Sequence, residues 1–74
     1  MNKKLRVLKQ FGDKVREERL KKGLSQEELA AKAGVHRTYI GMIERAEKNI
    51  TLKNIEKIAN ALGISLDKLM NLEK

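Results

Sequence analysis

Cysteine is absent from the sequence, so neither a disulfide nor a thiolate-bound metal can supplement the core. A reducing compartment, the cytoplasm, fits that absence. His36 is the only histidine, and no carboxylates cluster at ligand spacing, so no metal site and no cofactor is expected. Proline is missing too, with no low-complexity segment and no repeat, which leaves punctuation to glycine and to capping residues. No apolar run approaches the roughly 20 residues that span a membrane. The opening stretch MNKKLRVLKQ is basic but lacks a following apolar run and cleavage site, so a secretory signal is not expected. Ser25, His36 and Glu44 do not read as a catalytic triad, because Ser25 is a helix cap and no strained nucleophile turn is present. An enzyme is not expected.

What is present is a chain of 74 residues, 41% hydrophobic and 36% charged, enough for one small domain over residues 1–74 with a modest core. A helical bundle is the economical way to build it. The net charge of +7 is unevenly spread: residues 1 to 22 hold nine Lys or Arg against Asp13, Glu17 and Glu18, whereas residues 24 to 50 balance at four against four. An excess of this kind attracts polyanions, nucleic acid before anionic membrane. A solvated face accounts for the same charge equally well.

Gly23, Gly34 and Gly63 each follow a segment of helical periodicity, as C-terminal glycines do. Five helices are predicted, at about 5–22, 26–33, 36–45, 52–62 and 66–72, giving an all-α domain. In the first, Leu8, Phe11, Gly12 and Val15 share a face with Arg19, a charge where an apolar residue is expected. The second opens on Ser25 and Glu28, the spacing of a capping box, and buries Leu29, Ala30 and Ala33. Only Gly34 and Val35 separate it from the third. Two short helices meeting steeply across a glycine turn form a helix-turn-helix. Thr51 caps the fourth helix, whose apolar residues are Leu52, Ile55, Ile58, Ala59 and Leu62, and Ser65 caps the fifth.

The third helix carries the candidate site. With Val35, Ile40 and Ile43 inward and Tyr39 at the edge, Arg37, Thr38, Gly41, Met42 and Arg45 are left facing outward. A helix in the major groove contacts bases mainly through its first turn, where Arg donates twice to guanine and Thr bonds a base or touches a thymine methyl. Met42, one turn on, suits an apolar base edge, and His36 flanks the helix start near a phosphate. Each residue also has a plain reading: a surface Arg or Thr with no specific task, a Met packed loosely against the core. Glu44, next to buried Ile43, is the expected partner of Arg19, because an unpaired buried charge costs several kcal/mol.

The segment FGDKVREERLKKGLSQEELAAKAGVHRTYIGMIERAEKNITLKNIEKIANALGISLDKLM, Phe11 to Met70, resembles the lambda-repressor-like, Cro/C1-type (XRE) helix-turn-helix family. Within it, HRTYI followed by IER, then a lysine, an asparagine and ITL, is most similar to the controller proteins of restriction-modification systems. The resemblance implies a five-helix DNA-binding domain in which Arg37, Thr38 and Met42 face base edges and Arg19 and Glu44 form an internal ion pair. It implies that Gln26 meets a phosphate at the start of the second helix, with Lys48, Asn49 and Thr51 in the loop that follows the recognition helix and touches the DNA backbone. His36, Tyr39 and Arg45 count as further phosphate contacts. Ala46 departs from the pattern, which commonly has glycine there.

Family members of this size usually pair through their last helices, which makes Leu66, Leu69, Met70 and Leu72 a candidate homodimer interface. Packing against Leu52 and Ile55 competes as an explanation. A dimer would set two recognition helices roughly 34 Å apart and require a palindromic operator. The function implied is that of a transcriptional regulator of duplex DNA. With no room for a sensor domain, it is expected to be autoregulatory; the resemblance to the controllers implies that it activates as well as represses its own operon, together with a linked restriction gene, and that it meets RNA polymerase when activating. A phage- or plasmid-type repressor, an antitoxin, or an interaction module that keeps only the fold are the alternatives.

Overall fold

The computed structural model of the chain describes residues 3–72 and consists, over them, of five helices and no strand. They are α1 (Lys3–Lys21), α2 (Gln26–Ala33), α3 (Arg37–Glu44), α4 (Leu52–Leu62) and α5 (Leu66–Leu69). No helix among the described residues is long and apolar enough to cross a membrane. Each helix after α1 starts on a side-chain cap: Ser25, His36, Thr51 and Ser65 accept from backbone N–H groups of the following turn. At α2 the cap is reciprocal, Glu28 N donating to Ser25 Oγ at 3.0 Å and Ser25 N to Glu28 Oε1 at 2.8 Å. That closes the capping box and satisfies two orphan donors.

The core joins one face of every helix, with Val15, Leu29, Ile40, Ile58, Leu62 and Leu69 essentially inaccessible to solvent. Helix α3 is seated between α1 and α2, and α4 closes the bundle beneath α2. The α1–α3 crossing is close because Gly12 lacks a side chain: a Cβ there would collide with the Ile43 carbonyl oxygen and lie 3.0 Å from that of Glu44. Between α2 and α3 the chain turns at Gly34, whose φ of 73° is the left-handed conformation that glycine adopts without penalty. Val35 N then bonds back to Ala30 O at 3.0 Å, and beyond the turn α3 packs against α2.

Several expectations need correction. Helix α1 begins at Lys3, earlier than predicted, and α3 is a residue shorter at each end because His36 and Arg45 are its caps. Helix α5 stops at Leu69, with Met70 as its C-cap, so Leu72 lies beyond it. Leu52 is 72% exposed. The buried stripe of α4 runs through Ile55, Ile58, Ala59 and Leu62, and at about 100° per residue Leu52 sits about 70° to one side of its centre. Leu69 is completely buried within its own chain, which removes it from any surface offered to a partner. Gly41 is buried as well, covered by the side chains of Gln26 and Arg45.

Candidate nucleic-acid interface

Helix α3 is held at both ends and along its inner face, which fixes what it presents outward. Ile40 and Ile43 anchor it in the core. At its C-terminal end Glu44 accepts two hydrogen bonds from Arg19, from Nε at 2.7 Å and Nη2 at 3.0 Å, and a third from Gln26 Nε2 at 3.0 Å. Arg19 spends a further N–H on the carbonyl of Leu24 at 2.9 Å. This network ties α1, the α1–α2 turn, the start of α2 and the end of α3 into one unit. Hydrogen bonds donated to the Glu44 carboxylate raise the Arg19 guanidinium above its ordinary pKa, against the opposing effect of burial and with added help from the carboxylate charge.

At the N-terminal end His36 Nδ1 accepts from Thr38 N at 3.1 Å. A neutral imidazole that accepts at Nδ1 carries its hydrogen on Nε2, so the residue that caps the helix also keeps a donor. His36, Arg37 and Thr38 are all exposed. Arg37 Nη1 is 3.9 Å from Glu27 Oε1, and both side chains are mostly solvated. So loose a pair holds Arg37 weakly and leaves it available to a stronger acceptor.

A notch opens between the start of α2 and the outer face of α3, lined by Gln26, Glu27, Arg37, Thr38, Gly41 and Arg45. Its floor is the bare backbone of Gly41, where a Cβ would lie 3.0 Å from Arg45 Nη1 and 3.4 Å from Gln26 Oε1. Gln26 therefore spends one amide hydrogen on Glu44 and brings its carbonyl oxygen toward Gly41. Its backbone N–H, in the first turn of α2, has no intrahelical acceptor and suits an anion. Arg45 reaches the notch from the C-cap of α3 and forms an exposed ion pair with Glu47, Nε to Oε1 3.1 Å. Met42 is half-buried, one turn beyond Thr38.

Not every candidate converges there. Lys48 and Asn49 are exposed in the segment between α3 and α4, and Asn49 lines a different, apolar groove with Val7, Leu8, Phe11 and Ile50. Tyr39 is half-buried, and its hydroxyl accepts from Asn54 Nδ2 at 3.0 Å. Asn54 was invisible to periodicity, because it lies to the side of the α4 stripe and its bond depends on how α4 meets α3. Glu18 is another surprise: 2% exposed, it lies 3.5 Å from Lys14 Nζ and 3.6 Å from Lys21 Nζ, and its Oε2 has no hydrogen-bond partner. Lysines four residues before it and three after it were the only sequence signal.

The comparisons with known proteins agree with the all-helical fold. Residues 15–69 match the helix-turn-helix family. The control protein C.BamHI of Bacillus amyloliquefaciens is 49% identical over 72 residues, covering 96% of this chain and 86% of that protein. The control protein C.SmaI of Serratia marcescens is 48% identical over 60 residues, 81% of this chain and 71% of that one. Among solved structures, the restriction-modification controller protein C.AhdI of Aeromonas hydrophila superposes with a TM-score of 0.82 at 48% identity, covering 84% of this chain and 94% of that one. None of the three is described as an enzyme. The chain belongs to the helix-turn-helix family of DNA-binding transcriptional regulators.

Proposed function

We propose that the chain is the autoregulatory controller of a restriction-modification system, binding a palindromic operator as a homodimer. The observation that carries this reading is the division of α3 into two faces. Ile40, Ile43 and Glu44 are consumed by the fold, while Arg37 and Thr38 stand exposed on the first turn, where a helix in the major groove meets base edges. Met42 follows them along the same face. Gln26, His36, Tyr39 and Arg45 surround these positions with donors for backbone phosphates, and Lys48 and Asn49 extend the series past the end of α3. The likeness to controller proteins supports the regulatory role. The protein works in the cytoplasm, beside its DNA, and RNA polymerase is its partner when it activates.

Selection of bound sequences from a pool of random duplexes tests the whole reading. Recovered sites should be palindromic, with half-site centres separated by about one helical turn or a multiple of it. Sites without symmetry, or no enrichment, would contradict it. On the selected duplex, Arg37→Ala should weaken binding by about 1 to 3 kcal/mol and relax preference at one base position. An equal loss on operator and random duplex would reduce Arg37 to a phosphate contact. Affinity for either duplex should fall steeply with salt as counterions are released.

A further inference from the structure

The hydroxyl of Tyr39 is engaged by a residue outside the recognition helix. Asn54, third residue of α4, donates from Nδ2 to the phenol oxygen at 3.0 Å, and its backbone N–H donates to Thr51 Oγ1, the cap of α4, at 3.2 Å. One side chain thus couples the first turn of α4 to α3 through a half-buried contact. A phenol holds one hydrogen. With its oxygen accepting from the Asn54 amide, that hydrogen is directed to some other acceptor, and none is formed among the described residues.

The surroundings specify the kind of acceptor. The first turn of α4 contains no acidic residue, and Lys53 lies within it. Its leading backbone N–H groups lack intrahelical partners and sit at the positive end of the helix dipole. Lys48 is exposed in the segment that leads into it. An anion is favoured at this helix start, which the Asn54 side chain joins to Tyr39.

We propose that Asn54 is a positioning residue for DNA binding, which by donating to the Tyr39 oxygen commits the phenol hydrogen to a non-bridging phosphate oxygen of the DNA backbone. The inference rests on the DNA-binding reading above and on Tyr39 as a phosphate contact. It gives α4 a part in recognition without touching DNA through Asn54 itself. The fixed phenol also spares Tyr39 the conformational entropy otherwise lost on binding.

Asn54→Asp is the informative variant, because it keeps the shape and exchanges the donor for an acceptor. The carboxylate takes the phenol hydrogen and withdraws it from the phosphate. An acid in the first turn is favourable to a helix, so the thermal midpoint should stay at or above the parent value. Binding should nonetheless weaken about tenfold, the value of a hydrogen bond to a charged group, and equally on the selected duplex and a random one. Tyr39→Phe should cost the same about tenfold, and in that background Asn54→Asp should cost nothing more.

Four results overturn the proposal, and they point to different faults. If Asn54→Asp is harmless while Tyr39→Phe weakens binding, Asn54 does not direct the phenol although Tyr39 touches DNA. If Asn54→Asp still weakens binding in the Tyr39→Phe background, its effect arises from charge repulsion. A loss confined to the selected duplex would send the hydroxyl to a base. If Tyr39→Phe costs nothing on any duplex that the protein still binds, the phosphate contact itself is absent while the wider DNA-binding reading survives.

Discussion

Glu44 accepts from Arg19 twice and from Gln26 once, while sitting almost out of reach of water. Such a carboxylate is stable only while its donors remain. Arg19→Ala should lower stability by about 3 to 5 kcal/mol, because it strands Glu44 rather than because the pair is worth that much. Glu44→Ala should cost a comparable amount by stranding Arg19. The double variant should lose much less than the sum, and urea denaturation of all three measures the coupling; additive losses would refute it. The raised pKa of Arg19 adds no pH dependence of its own near neutrality. Its contribution is complete below the ordinary guanidinium range and is lost only as pH rises through the still higher folded value. The pair was legible in the sequence, since a charge at a core position of α1 demands an acid on a facing helix. The bond from Gln26 was not, because it exists only once α2 and α3 are packed together.

Helix ends obey a shared chemistry, and one of them breaks its usual sequence rule. After α2 and α4, glycines at positive φ close the last turn. After α3 the same place is taken by Ala46 at φ 60°, with Ala46 N bonded to Ile43 O at 3.0 Å and Glu47 N to Met42 O at 2.8 Å. These are the two bonds of the Schellman motif, so the backbone adopts the glycine conformation with an alanine in it. The left-handed region costs an L-residue roughly 1 to 2 kcal/mol, part of which glycine gives back through its greater freedom in the unfolded chain. Ala46→Gly should therefore stabilise the protein by about 1 kcal/mol, seen as a higher urea midpoint at unchanged slope. A lower midpoint would mean that the Ala46 methyl contributes packing that outweighs its strain. Starts and glycine ends of helices were readable because each depends on two or three adjacent residues. The end of α5 was not: no glycine follows it, and the helix leaves off at Leu69, which is buried in the core.

A molecule measuring 32 × 23 × 22 Å with a single recognition helix of eight residues reads one short patch of groove. One bidentate base contact discriminates by about 1 to 3 kcal/mol, so a lone α3 separates an operator from bulk DNA poorly. Two copies add their contacts across a two-fold axis, which is the physical case for a dimer. The surface available for pairing differs from the one the sequence implied, because Leu69 is consumed by the core. What remains is Leu66, Met70 and Val7, all substantially exposed, with Met70, Val7 and Leu72 bordering an apolar groove whose lining also includes Leu8 and the buried Phe11 and Ile55. Charging the rim while sparing the interior separates pairing from folding. Met70→Lys should leave the urea midpoint of the monomeric domain unchanged at nanomolar concentration, yet shift sedimentation at micromolar concentration from dimer to monomer. Operator affinity should then fall by about tenfold or beyond as the second half-site loses its tethered reader, whereas affinity for a duplex carrying one half-site should stay as it was. A parent protein that sediments as a monomer at micromolar concentration would remove the two-fold contact altogether, whereas a Met70→Lys variant that still pairs and still binds the full operator would place that contact on another face; either result leaves the groove beside Phe11 without that role.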